Sequence, residues 1–256
     1  PQYRLIAGFR YTINDTVGEN LLPRLSLIHP LDANQTLKFL YSTAFKSPSF
    51  VQQYINIPPN VVKGDPKLDA EMVSSSEMAY SAQYGRHLFV ASIYQMSAED
   101  FIFRSVNNDG EVVFSNTDSF TREGLDLDYR LARRQTQWYA NVSWQFQGNQ
   151  ERDSDPTALF TPEWTFNIGA SYQHNPHVNY GFSLHHVGER DVQSDLNILN
   201  VQASYKLERS FKFTASINKL LGEDILHPDI QNFESDRLIQ SASKHPAFLV
   251  KIHYQF

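Results

Sequence analysis

The chain contains no cysteine. That excludes a disulfide framework and any thiol chemistry. No run approaches 18 consecutive apolar residues, so the sequence encodes no membrane-spanning helix. The net charge of −6 is spread along the 256 residues, and no basic stripe marks a nucleic-acid partner. Acidic stretches such as "ERDSDP" and "GED" lack the spacing of a dedicated calcium loop, so no metal is expected. The opening "PQYRLIAGFRY" has neither Met nor a basic start followed by an apolar stretch, and it reads as processed or cut from something longer. What the chain does have is aromatic side chains: 18 Phe, 13 Tyr and 3 Trp. Its mean hydropathy of −0.43 looks soluble. A transmembrane β-barrel gives the same mean, because half of each strand is polar.

Apolar residues recur with period two, the signature of strands with two unlike faces. "WYANVSWQF" sets Trp138, Ala140, Val142, Trp144 and Phe146 against Tyr139, Asn141, Ser143 and Gln145. "WTFNIGASY", "LNVQASYKL" and "FKFTASI" repeat the pattern. The chain ends on "PAFLVKIHYQF", with Phe248, Val250, Ile252, Tyr254 and Phe256 on one face and Lys251, His253 and Gln255 on the other. Twelve strands are predicted near 3–13, 21–31, 36–45, 72–84, 86–97, 117–131, 136–147, 163–174, 178–188, 198–208, 211–220 and 246–256. "FIFRS" and "EVVFS" are expected to pair as the upper part of the hairpin formed by strands five and six.

Short and long connections are expected to alternate along the whole chain. "DANQ", "G", "ARRQ", "NPH" and "ER" are short, while 46–71, 148–162 and 221–245 are long. Tight turns at one end and long loops at the other are the pattern of an outer-membrane barrel. Strands of ten or so residues, tilted by about 45°, cross a bilayer core. Aromatics near the strand ends suit two interfacial girdles. Arg4, Arg10, Asp126, Asp128, Arg130, Gln145 and Lys206 then face a wet lumen. An Arg or Lys at the lipid midplane costs about 2–4 kcal/mol, and that cost sets the register. The predicted class is all-β, a transmembrane antiparallel β-barrel.

Two neighbouring stretches carry more. "LKFLYSTAFKSPSF" ends a strand in a bulky patch that Pro48 closes. "GDPKLDAE" is punctuated by Gly64 and Pro66. Together they resemble the "AF(R)xPSF" and "GNPxLxPE" segments in the C-terminal half of TonB-dependent outer-membrane receptors. Phe45, Pro48, Phe50, Gly64, Pro66, Leu68 and Glu71 match. Lys46 stands for the common Arg, Asp65 for Asn and Ala70 for Pro. "SNTDSFTREGLDLDY" resembles a third family segment, in which Asn116 opens the descending strand and Gly124 precedes the acidic Asp126.

The resemblance covers essentially the whole chain. It implies that residues 1–256 are the last twelve strands of a 22-stranded barrel, with the plug and the TonB-contacting box outside them. It implies import of a bulky, scarce nutrient, foremost a ferric siderophore, captured by external loops and lumen, with no cofactor and no enzymatic step. The implied partners are the nutrient, TonB acting through the plug, the bilayer and its lipopolysaccharide, in a bacterial outer membrane. Tyr254 and Phe256 resemble the terminal signal that barrel-assembly machinery reads in outer-membrane proteins. No His lies between Phe50 and Gly64, which disfavours haem ligation by the family route. Tyr54 and Phe233 are candidates to stack on a planar ligand, and Arg237 and Lys244 to pair with an anionic one. The alternative is a small self-contained barrel, either a porin or, further off, a phospholipase-type enzyme using His186.

Overall fold

A computed structural model describes residues 2–14, 18–57, 62–107, 110–116, 119–146, 161–190, 193–207, 210–222, 226–228, 238–240 and 246–254. In chain order the elements are β1 (Arg4–Asn14), β2 (Gly18–Pro30), β3 (Gln35–Lys46), α1 (Phe50–Tyr54), β4 (Asn56–Ile57), β5 (Val62–Lys63), β6 (Glu71–Tyr84), β7 (His87–Glu99), β8 (Ile102–Val106), β9 (Val112–Asn116), β10 (Phe120–Ala132), β11 (Thr136–Phe146), β12 (Trp164–Gln173), β13 (Val178–Val187), β14 (Leu196–Leu207), β15 (Phe211–Leu221), β16 (Leu226–Pro228), β17 (Leu238–Gln240) and β18 (Ala247–Tyr254).

Twelve of these form one antiparallel sheet in the order β1-β2-β3-β6-β7-β10-β11-β12-β13-β14-β15-β18. Each strand lies beside its sequence neighbour in the sheet, as in an up-and-down meander. The twelve predicted strands are all present. An 11-residue strand such as β11 rises about 36 Å, or about 26 Å when tilted by 45°. That is close to the thickness of a bilayer core. Among the described residues β1 and β18 pair on one side only.

Register keeps the two faces separate across the whole sheet. Leu5, Leu27, Phe39, Met78, Ile93, Leu125, Trp144 and Trp164 are successive partners across eight strands. All eight lie on the apolar face. A slip of one residue in any strand would place its polar set in this row, so patterning fixes the pairing. Two residues further along, the same face reads Tyr41, Ser76, Gln95, Glu123 and Phe146. There Gln95 Nε2 donates to Glu123 Oε1 at 2.6 Å, and the hydroxyls of Ser97 and Thr121 lie 3.1 Å apart. The apolar belt therefore ends in this sector, on the side of the long connections.

On the polar face, two glycines let a tyrosine lie flat across the strand. A Cβ at Gly124 would come within 2.5 Å of Tyr94 Oη and 2.8 Å of the Trp144 carbonyl oxygen. A Cβ at Gly169 would come within 2.5 Å of the Tyr139 ring. Tyr94 and Tyr139 are the direct cross-strand partners of these glycines, so each ring covers backbone that glycine leaves bare.

Three expectations are corrected. Strand β2 begins at Gly18, whose φ of 71° suits a tight reversal. Only residues 15–17 separate β1 from β2, so the alternation of short and long connections fails at the first pair. Second, "FIFRS" and "EVVFS" do pair, as β8 and β9, but they do not prolong the β7–β10 hairpin. Asp100, with φ of 54°, breaks the ladder after Glu99, and β8 and β9 join a separate sheet in the order β4-β5-β9-β8. Third, Asn116 does not open β10. It closes β9, and β10 starts at Phe120.

Candidate functional site

The described residues of the connections 47–70 and 100–119 do not form open loops. They fold together into a small cap at the long-connection end of the sheet. Pro48 is buried and ends the chain's run along β3. Ser49 then caps α1 reciprocally: its Oγ accepts from Gln52 N–H, and Gln52 Oε1 accepts from Ser49 N–H at 2.7 Å. This capping box holds a helix far too short to persist alone. Gly64 abuts the far end of α1. Its N–H donates to the Ile55 carbonyl at 2.7 Å, and a Cβ there would meet backbone atoms of Gln53 and Tyr54 at 2.6–2.7 Å. Only glycine fits this approach. Asp65 Oδ1 then accepts from Lys67 N–H at 2.8 Å, turning the chain around the exposed Pro66.

Leu68 is buried against Ile102 and Phe114, with Ile55 and Val62 packed on the outside. Polar residues lock this apolar centre. Glu71, 6 % exposed, takes the Lys46 ammonium at 2.8 Å on one oxygen and the buried Ile102 N–H at 3.0 Å on the other. Asn116 bridges both connections. Its Oδ1 accepts from Asp69 N–H at 2.9 Å, and its Nδ2 donates to the carbonyls of Asp69 at 3.2 Å and Asp100 at 2.6 Å. Arg104 lies over the Phe114 ring at 5.1 Å, and Lys63 reaches Glu111 at 3.8 Å.

The structure thus brings Pro48, Gly64, Leu68, Glu71 and Asn116 into one unit, although they are spread over nearly seventy positions of the chain. Phe45 stands on the apolar face of β3, opposite Met72. Gly124 and Asp126 lie below the cap, on the polar face of β10. Phe50 is not core: it is 77 % exposed and packs on Tyr54, itself 56 % exposed, with ring centroids 5.0 Å apart. With Val51, this pair is an exposed apolar patch on the cap. Reading the sequence flagged Tyr54 and missed that Phe50 joins it. The i, i+4 spacing was the available signal, but it counts only once the helix is known. Phe233, Arg237, Lys244 and Phe256 lie outside the described residues. Tyr254 packs on Phe211 at 4.5 Å.

His186 sits on the apolar face, its ring tilted against Trp164 with centroids 4.6 Å apart, and with Nδ1 2.9 Å from Asn197 Oδ1. Its described contacts include no Ser and no carboxylate. His185 faces the other way and meets Asn167, which in turn donates to Asn141 Oδ1 at 2.6 Å. The described residues therefore do not assemble a hydrolytic dyad here.

A family model for the TonB-dependent receptor-like β-barrel matches residues 1–220. The chain belongs to the TonB-dependent receptor family. Comparison with curated protein sequences gives no match. Among solved structures, the ferric enterobactin receptor PfeA in complex with BCV-L6 aligns with a TM-score of 0.80 at 18% identity, over 100% of this chain and 43% of that one. The siderophore receptor PirA from Acinetobacter baumannii aligns with a TM-score of 0.79 at 16% identity, over 99% of this chain and 43% of its own. The copper transporter OprC gives 0.73 at 16%, over 99% and 45%. At such identities these structures speak for the fold. This chain spans less than half the length of each. The sheet is the C-terminal part of a TonB-dependent receptor barrel, so its apolar face is the lipid side and its polar face the lumen.

Proposed function

We propose that this chain is the strand scaffold and part of the external binding surface of an outer-membrane receptor that imports a ferric siderophore. Barrel membership and neighbours named as siderophore receptors support the ligand class. The observation that carries the reading is the folded cap, which holds the exposed Phe50–Tyr54 pair at the long-connection end. Paired rings offer a stacking surface to an aryl ring of an iron chelate. No ligand bond need break. A bulky, dilute nutrient needs tight capture, and tight capture needs a separate energy source for release. That energy enters through TonB acting on a plug outside these twelve strands. The edges of β1 and β18 are completed by further strands, because a bilayer has no water to satisfy an open sheet edge. Tyr254 and the residues after it are read by the barrel-assembly machinery.

Equilibrium binding to the full-length receptor in detergent tests the ligand class, using quenching of tryptophan fluorescence. Iron-loaded catecholate siderophores should bind saturably, and iron-free siderophore and Cu(II) should bind far more weakly. Tyr54→Ala should weaken the ferric complex up to about tenfold, the loss of one aromatic contact. Saturable Cu(II) binding without ferric-siderophore binding would overturn the proposal.

A further inference from the structure

Two tight turns lie side by side at the short-turn end. Gly85 and Arg86 join β6 to β7, and residues 133–135 join β10 to β11. β7 and β10 are neighbours in the sheet, and the Ala132 N–H donates to the Arg86 carbonyl at 3.0 Å. Register thus gathers Arg86, Arg133 and Arg134, all three exposed. Neither turn contains a carboxylate. Asp32, in the adjoining turn, already accepts from the Asn34 N–H and the Gln35 side-chain amide. Asp128, on the lumen face, already holds Arg130 at 3.0 Å.

The lack of an ion pair does not distinguish these arginines, because Arg4 and Arg24 on the lumen face make none with described residues either. Their depth does. The apolar belt ends on the long-connection side at the Gln95–Glu123 pair, and Arg133 follows Glu123 by ten residues. Ten residues rise about 34 Å, or about 24 Å along the membrane normal at 45°. The apolar band of such barrels is about 25 Å tall. The arginines therefore stand at the opposite boundary of the bilayer core, where lipid phosphates begin. The alternation of β10 runs Tyr129, Leu131, Arg133, so Arg133 follows the apolar face. About 5 Å further into the membrane, His87 stands opposite Leu131, and its Nδ1 lies 2.7 Å from Tyr129 Oη. Phe89 and Trp138, the cross-strand partners of Tyr129 and Leu131, extend the surface. A guanidinium fork matches phosphate oxygens two at a time, and its stem packs on apolar surface.

We propose that Arg86, Arg133 and Arg134 bind the phosphate of an anionic phospholipid in the periplasmic leaflet, with its acyl chains on the lipid face beside Tyr129 and Leu131. The His87–Tyr129 pair then supplies polar atoms just inside the phosphate. The inference rests on the lipid-side assignment of the apolar face and not on the identity of the imported ligand.

Lipid binding to the full-length receptor in detergent tests it, read by native mass spectrometry. Short-chain phosphatidylglycerol should bind saturably and phosphatidylcholine far more weakly. The double variant Arg133→Gln, Arg134→Gln should lose at least about tenfold in affinity for phosphatidylglycerol, with the heat-modifiable mobility of a closed barrel retained. Wild-type protein supplies a second readout. Phenylglyoxal should modify Arg133 and Arg134 in detergent, and phosphatidylglycerol should protect them. Equal binding of the two lipids, or unchanged affinity in the double variant, would overturn the proposal. Protection in detergent without lipid would also overturn it, because a polypeptide segment would then cover the turns. So would equal protection by inorganic phosphate at the same concentration, which would assign the turns to a free anion. None of these readouts uses a siderophore, so a receptor that binds none would leave them intact.

Discussion

Removing the Glu71 carboxylate should open the cap and leave the barrel closed. In Glu71→Ala the Ile102 N–H, buried with a residue only 6 % exposed, loses its acceptor at 3.0 Å. An unsatisfied buried donor costs about 1–3 kcal/mol, and a lost hydrogen bond to a charged group a comparable amount. The Lys46 partner is 64% exposed, so that ion pair adds about 0–1 kcal/mol. The two hydrogen-bond costs describe the same event and overlap, which gives about 2–4 kcal/mol in all. At about 1.4 kcal/mol per factor of ten, local exchange should rise roughly thirty-fold to several hundred-fold. Hydrogen exchange of the full-length protein in micelles should show this at Ile102 and Leu68, with β12 and β13 unchanged. Glu71→Gln keeps an acceptor and should cost only about 1 kcal/mol. Unchanged exchange at Ile102 in Glu71→Ala would refute the reasoning. So would equal acceleration in β12 and β13, because the cap would then not be a separate unit.

Asn116→Asp is nearly isosteric, yet it replaces the amide donor that faces the carbonyls of Asp69 and Asp100 with a carboxylate oxygen that can only accept. It should destabilise the cap by about 2–3 kcal/mol, seen as faster proteolysis within 100–119. Gly64→Ala must displace the α1 backbone, whereas Gly8→Ala meets only the Arg24 side chain at 3.6 Å. Exchange in α1 should rise in the first variant, and the second should stay within about 0.5 kcal/mol of wild type. In the turn after β2, the Asn34 N–H donates to Asp32 Oδ1 at 2.7 Å and holds that carboxyl below its ordinary value. The lowered folded value means that the turn's added stability is present above the ordinary carboxylate range. It should fade as pH falls below about 4, and exchange at Asn34, with intrinsic rates corrected for pH, should show the loss.

The membrane sheet was legible because period two is read residue by residue. Once Trp138 and Trp144 share a face, the polar set on the other follows. The cap was not legible as a fold. Its strands are two to five residues long, too short for periodicity, and its core of Leu68, Ile102 and Phe114 comes from two distant connections. The motif around Pro48, Gly64 and Glu71 marked the place without showing why. The reason is one buried carboxylate, one glycine pressed on a helix end and one bridging amide. Asn116 was placed on the wrong strand because Asp100, an ordinary loop residue in sequence, adopts a left-handed turn that ends β7 early. Other neighbours come only from register: Lys206 and Lys212, six residues apart in sequence, stand directly opposite on β14 and β15.

Uptake of radioactive iron by iron-starved cells, with and without the gene for this receptor and with and without TonB, tests the central claim most directly. The account predicts ferric-siderophore uptake that needs both genes and falls when Tyr54 is replaced by Ala. Uptake independent of this receptor or of TonB, or accumulation of copper in place of iron, would contradict it.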